Sequence, residues 1–170
     1  MASTKPDPHT DAEHEAMLWK ALASRRTVML GLTAPPVEHM QPMTGFHDDT
    51  SRSVFFFCRA DNDLAKRAGN EGGEDMMCLQ SKDESFIACV SGRLSVVRDS
   101  ERVERFWSPV DAAWYPEGKD DPQLRFLRLD PSDAQLWIAA GNPVKFGWEI
   151  AKANLVKRLP DIGETAHLEL

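Results

Sequence analysis

The chain is short of nearly everything that would announce a chemistry. It has 3 cysteines in 170 residues, Cys58, Cys78 and Cys89, an odd number with no Cys-x-x-Cys spacing. Each lies in an apolar, strand-like run, so they read as small buried hydrophobes rather than a disulfide framework. No stretch of ~18 or more apolar residues exists, which excludes a membrane-spanning helix. The leading segment MASTKPDPHTDAEHE contains no apolar core of a secretory signal, and the cytoplasm is the expected compartment. A basic excess is missing too: 20 Lys and Arg stand against 27 Asp and Glu, a formal net charge of -7. Neither nucleic acid nor a membrane is therefore an expected partner. There is no Gly-x-Ser-x-Gly, no Gly-x-Gly-x-x-Gly, no P-loop and no His-Glu-x-x-His. His9, His14, His39, His47 and His167 show no tight metal spacing. His39 and His47 with Asp48 and Asp49 can be drawn as a site, but an exposed loop fits them better, and no metal is expected. Any redox chemistry would have to be carried by a cofactor.

What is present fits one domain with a sizeable core: 42% hydrophobic and 28% charged residues, ordinary for a globular chain. Residues 1–9 read as a disordered lead and 10–170 as a single domain. Thr10 and Glu13 make a capping box, and Met17, Leu18, Ala21 and Leu22 follow at helical spacing, which predicts a helix over Asp11 to Ser24. Strands are expected at Thr27–Leu32, Val37–Thr44 (interrupted by Pro42), Ser53–Cys58, Asp75–Gln80 and Glu84–Val97, where Gly92 permits a bulge. A polar hairpin loop is expected over Gly45–Arg52. Short helices are expected at Leu64–Ala68, from Asp99 or Ser100 to Trp107, and at Pro109–Tyr115. Two more strands, Leu124–Leu129 and Gln135–Ala139, precede a final helix from Pro143 to about Arg158. The order is that of an α+β fold with one meandering antiparallel sheet. Phe55-Phe56-Phe57 is apolar on both faces, which suits a barrel wall covered outside by a helix or a second subunit.

The stretch from Glu101 to Ile138 holds three of the five tryptophans. It runs through Trp107-Ser108-Pro109, Ala113-Trp114-Tyr115-Pro116 and Gly118-Lys119-Asp120-Asp121-Pro122. With Val90-Ser91-Gly92-Arg93, this succession resembles the general stress protein 26 branch of the pyridoxamine 5'-phosphate oxidase-like, FMN-binding split-barrel family. The resemblance covers roughly Leu18 to Ile138. It implies a split β-barrel with peripheral helices, assembled as a homodimer and binding a small-molecule flavin at the subunit interface. FMN is the first expectation, with FAD or another flavin as alternatives.

Two segments match the family's flavin-binding parts. His39, Met40, Gln41, Pro42, Met43 and Thr44 resemble the strand that lies along the isoalloxazine ring. Pro42 has no N–H, so one side of this strand has free backbone groups to offer a flat heterocycle. By pattern alone it reads first as a plain edge strand with Met40 and Met43 in the core, and the resemblance reverses that order. The second segment contains Phe57, Cys58, Arg59, Asn62, Leu64 and Lys66. Family members carry Phe-Phe-Thr and then a Ser-x-Lys that holds the FMN phosphate; here the Thr is Cys58, the Ser is Asn62 and the Lys is Leu64. Two hydroxyls and a cation are lost, and charge-assisted hydrogen bonds are about twice as strong as neutral ones. Arg59, Lys66 and Arg67 are the local substitutes, while Asn62 reads equally as an ordinary helix N-cap. Trp114 can wall a flavin pocket across an interface or simply pack.

The resemblance implies stress-related redox chemistry or flavin handling, and it names no catalytic residue. The Arg-Leu-His-x-Arg tail of true pyridoxamine phosphate oxidases is absent, since the chain reads Arg158-Leu159-Pro160-Asp161. A flavin, heme or other-ligand carrier or sensor without turnover, and a cofactor-free interaction protein, remain open on the same barrel.

Overall fold

The computed structural model describes residues 9–35, 39–69, 71–139, 143–157 and 163–170. Helix α1 (Asp11–Ser24) opens with the expected capping box: the Thr10 hydroxyl accepts from the Glu13 N–H, and the Glu13 carboxylate accepts the Thr10 N–H at 2.7 Å. Its buried face is His14, Leu18, Ala21 and Leu22, spaced so that one stripe meets the sheet. Burying Leu18 and Leu22, both at most 1% exposed, contributes about 2 kcal/mol each.

Eight antiparallel strands form one curled sheet: β1 (Thr27–Leu32), β2 (Gln41–Thr44), β3 (Phe46–Asp48), β4 (Ser53–Arg59), β5 (Gly73–Gln80), β6 (Phe86–Val97), β7 (Leu124–Ala139) and β8 (Gly163–Glu169). Their spatial order is β2-β1-β5-β6-β7-β4-β3, with β8 also paired to β7. Between them lie α2 (Asp63–Ala68), α3 (Ser100–Phe106), α4 (Pro109–Trp114) and α5 (Pro143–Val156). This is the expected α+β half-barrel. No helix among the described residues is long and apolar enough to cross a membrane.

Three elements differ from the sequence expectation. The expected strands 124–129 and 135–139 are one 16-residue strand, β7. Its first part pairs with β4 and its last part with β8. Pro131 sits within β7 opposite Gly92, where the β6–β7 register shifts. A bulge tolerates the missing N–H, and a Cβ on Gly92 would overlap the Asp130 carbonyl oxygen. The expected polar loop 45–52 contains β3, whose Phe46 and Asp48 are buried. Finally, the chain ends on β8, which buries Ala166 and Leu168 by alternation, whereas the last expected element was a helix. Of the expected strand 37–44, Gln41–Thr44 is β2; positions 37 and 38 lie outside the described residues, as does the whole stretch 1–8 of the expected lead.

The triple phenylalanine is covered within the chain. Phe56 enters the main core with Leu18, Leu22, Val54 and Leu127. Phe55, Phe46 and Phe126 form a second cluster, capped by Val103 and Phe106 of α3. The helix fulfils the cover that the sequence left to a helix or a second subunit.

Candidate functional site

β2 is an edge strand, hydrogen-bonded on one side to β1. It lies close to β1 because Gly31 has no side chain: a Cβ there would stand 3.0 Å from Met40 Cγ. Gln41 and Met43 are half-buried, whereas Pro42, Thr44 and His39 are exposed. Across from β2, β4 runs out at Arg59 and a turn leads into α2, capped by Asn62.

The two predicted segments meet through one contact. Asn62 Nδ2 donates to Gln41 Oε1 at 2.9 Å, while Asn62 Oδ1 accepts the Leu64 N–H at 2.9 Å. Asn62 is therefore an N-cap and a strut at once, and both ends of its amide are used. His39, Gln41, Asp63, Leu64, Leu32 and Arg67 line a slot here of about 10 Å³, no larger than a water needs.

The remaining predicted residues divide between the two faces of β4. Cys58 faces the main core at 5% exposure, and burial pushes its thiol up to about 12. It is a packing group and does not replace a hydroxyl donor. Leu64 is likewise in the main core, 4% exposed; the position that the family resemblance assigns to a cation points inward in this chain. Phe57 faces the other way, ringed by Phe126 (5.0 Å between centroids), Phe46 and Trp107 (5.6 Å each). Trp114 is 68% exposed on α4; its neighbour Tyr115 is buried and packs against Trp107. The cations near the α2 start are surface groups with weak partners. Arg59 pairs with Asp61 at 3.3 Å and Lys66 with Asp63 at 3.4 Å, while Arg67 donates to the Ala34 carbonyl at 2.7 Å. Such exposed pairs are worth little.

Sequence reasoning missed three polar clusters. Asp48, wholly buried, takes Arg102 and Arg105 of α3 and the Thr50 hydroxyl at 2.7 Å. Burial alone would raise its carboxyl, but Thr50 and Arg102 outweigh that and hold it well below the usual range. Asp75 on β5 is 2% exposed, and neither carboxylate oxygen has a hydrogen-bond partner; burial pushes it up to about 8. The Glu164 carboxylate bridges His9 Nδ1 at 3.0 Å and His14 Nε2 at 2.9 Å, tying the start of α1 to β8. No sequence spacing could have found this cluster, because Glu164 lies 150 or more positions from both histidines.

Comparison with known proteins agrees with this architecture. The profile of the family described as Pyridoxamine 5'-phosphate oxidase like matches residues 13–161, and the chain belongs to that family. It is 26% identical over 106 residues to general stress protein 26 of Bacillus subtilis (strain 168), covering 59% of this chain and 71% of that protein. Among solved structures, it resembles a protein described as a general stress protein 26 from Jannaschia sp. CCS1. The TM-score is 0.77 at 31% identity, over 94% of this chain and 99% of the other. It also resembles the general stress FMN/FAD binding protein of Xanthomonas citri, with TM-score 0.70 and 39% identity over 77% of this chain and 92% of the other.

Proposed function

We propose that this chain binds a flavin, FMN first among them, in the cleft between β2 and the β4–α2 turn, as a cytoplasmic homodimer serving flavin-dependent redox chemistry. The observation that carries this is the Gln41–Asn62 hydrogen bond, which joins the strand suited to a flat ring and the turn suited to a phosphate. The residues fit such a group in part. Among the described residues β2 offers an unpaired strand edge, and Arg59 is an exposed cation at the end of β4. A flavin would bring reversible electron transfer; Gln41, Pro42 and their neighbours would orient its ring, and Arg59 would hold its phosphate. The relative from Xanthomonas citri, an FMN/FAD binding protein, supports the same reading.

A slot of about 10 Å³ encloses no flavin, since ligand pockets of that kind run to ~300 Å³ or more. A second copy is needed to cover the ring. The exposed Val110 and Trp114 of α4, 70% and 68% accessible, are apolar groups that a partner subunit would cover. Titration of the purified protein with FMN, FAD and riboflavin, followed by flavin fluorescence and thermal stabilisation, tests the reading. Light scattering run alongside should report a dimer. Absence of any stabilisation by all three flavins would leave the cofactor-free alternative standing. Pyridoxal phosphate production is not expected from the flavin-loaded protein.

A further inference from the structure

Cys78 of β5 and Cys89 of β6 face each other across the sheet, with their sulfurs 2.7 Å apart. That is well inside van der Waals contact and longer than the ~2.05 Å of a bond. Both are free thiols and neither is fully buried, whereas Cys58 is. Their pairing class follows from the hairpin. The Ser81 N–H donates to the Phe86 carbonyl at 2.8 Å, so Ser81 and Phe86 make a hydrogen-bonded pair. Alternation then makes Leu79–Ala88 hydrogen-bonded and Cys78–Cys89 a non-hydrogen-bonded pair. In such pairs the Cα atoms lie ~4.5 Å apart and the side chains approach most closely, within the span that a disulfide requires. The pair also stands on the half-open face of the sheet, in register with Met29 and Gln135, while Met77, Ala88 and Val90 on either side point into the core.

We propose that Cys78 and Cys89 form a dithiol–disulfide redox site, oxidised by a small hydroperoxide and reduced again by a low-molecular-weight thiol. The Cys89 thiolate attacks one peroxide oxygen, the O–O bond breaks, and an alcohol or water leaves with the proton. Cys89 is then a sulfenic acid. The Cys78 sulfur displaces its hydroxyl as water, forming the S–S bond. Two thiols lose two electrons, and one hydroperoxide gains them. In the return step two small thiols become their disulfide and both cysteines regain protons. Burial, with the contact to Cys89, pushes the Cys78 thiol up to about 12, so Cys78 keeps its proton until the second step. The site is separate from the flavin reading and does not depend on it.

The test starts from the native protein and mass spectrometry. The reduced protein is treated with hydrogen peroxide, quenched with iodoacetamide under denaturing conditions and weighed. Alkylatable cysteines should fall from three to one, with Cys58 the one retained, and dithiothreitol should restore all three. Cys78 and Cys89 lie in different tryptic peptides, 68–82 and 83–93, so the disulfide appears as their cross-linked mass. Cys58→Ser should leave that cross-link intact, and Cys89→Ser should abolish it. Three alkylated cysteines after excess peroxide would overturn the proposal, as would a cross-link between two copies of the chain on a non-reducing gel.

Discussion

Asn62 and Gln41 are 21 positions apart in the chain, yet their side-chain amides are locked at 2.9 Å. The contact is half-buried and fixes where β2 stands relative to the β4–α2 turn. Gln41→Ala should therefore weaken FMN about threefold to tenfold, the worth of one net hydrogen bond. Thermal stability should change far less. A titration in which Gln41→Ala binds FMN like the parent would show that the flavin does not use this junction.

The phosphate contact is expected from Arg59, not from position 64. Arg59→Ala should cost FMN about a decade or more in affinity and leave riboflavin unaffected, because only FMN carries the phosphate. Leu64→Lys should not act as a rescue. It would place an ammonium where the side chain is 4% exposed, so unfolding by urea should show a loss of about 3 kcal/mol. A gain in FMN affinity at unchanged stability would put residue 64 at the phosphate after all.

Asp48 holds α3 to β3 through Arg102 and Arg105. Asp48→Ala leaves two guanidinium groups without their buried partner and should cost about 3 kcal/mol. The pH dependence has a definite sign. The Asp48 carboxyl is depressed in the folded state, so its contribution is present above the unfolded carboxylate range and is lost as pH falls below it. Denaturant curves at descending pH should show Asp48→Asn losing less stability than the parent over that acid limb.

Asp75 should behave in the opposite way. Its carboxyl is raised to about 8 by burial, so the folded state holds a proton that the unfolded chain releases near pH 4. Stability then falls as pH rises from about 4 to 8, because the unfolded state binds fewer protons over that range. Asp75→Asn removes the titration. At pH 8 the variant should be more stable than the parent by about 5 kcal/mol, roughly 1.4 kcal/mol for each pH unit of that range, and near pH 4 the two should nearly coincide. Parallel stability profiles for the two proteins would mean that Asp75 finds a partner in solution.

Much of the framework was legible along the chain because it depends on near neighbours. The capping box at Thr10 and Glu13, the stripe of Leu18, Ala21 and Leu22, and the Asn62 cap of α2 all act within a few residues. Apolar, strand-like runs exposed β1, β4, β5 and β6, and Gly92 marked the bulge. The tertiary structure decided whatever needs a distant partner. β3 and β8 were invisible because a three-residue stretch in a polar loop, or an alternating tail, becomes a strand only when β4 or β7 supplies the ladder. Asp48 looked like a loop carboxylate until α3 brought two arginines to it, and Cys78 and Cys89 looked like ordinary core cysteines until the β5–β6 register set them face to face. The flavin segments were readable as residues, but their division between core and surface was not. Cys58 points inward while Phe57 points to the opposite face, because in a strand successive side chains alternate and only the packed sheet determines which side is the core; Leu64 points inward because α2 packs that face on the same core.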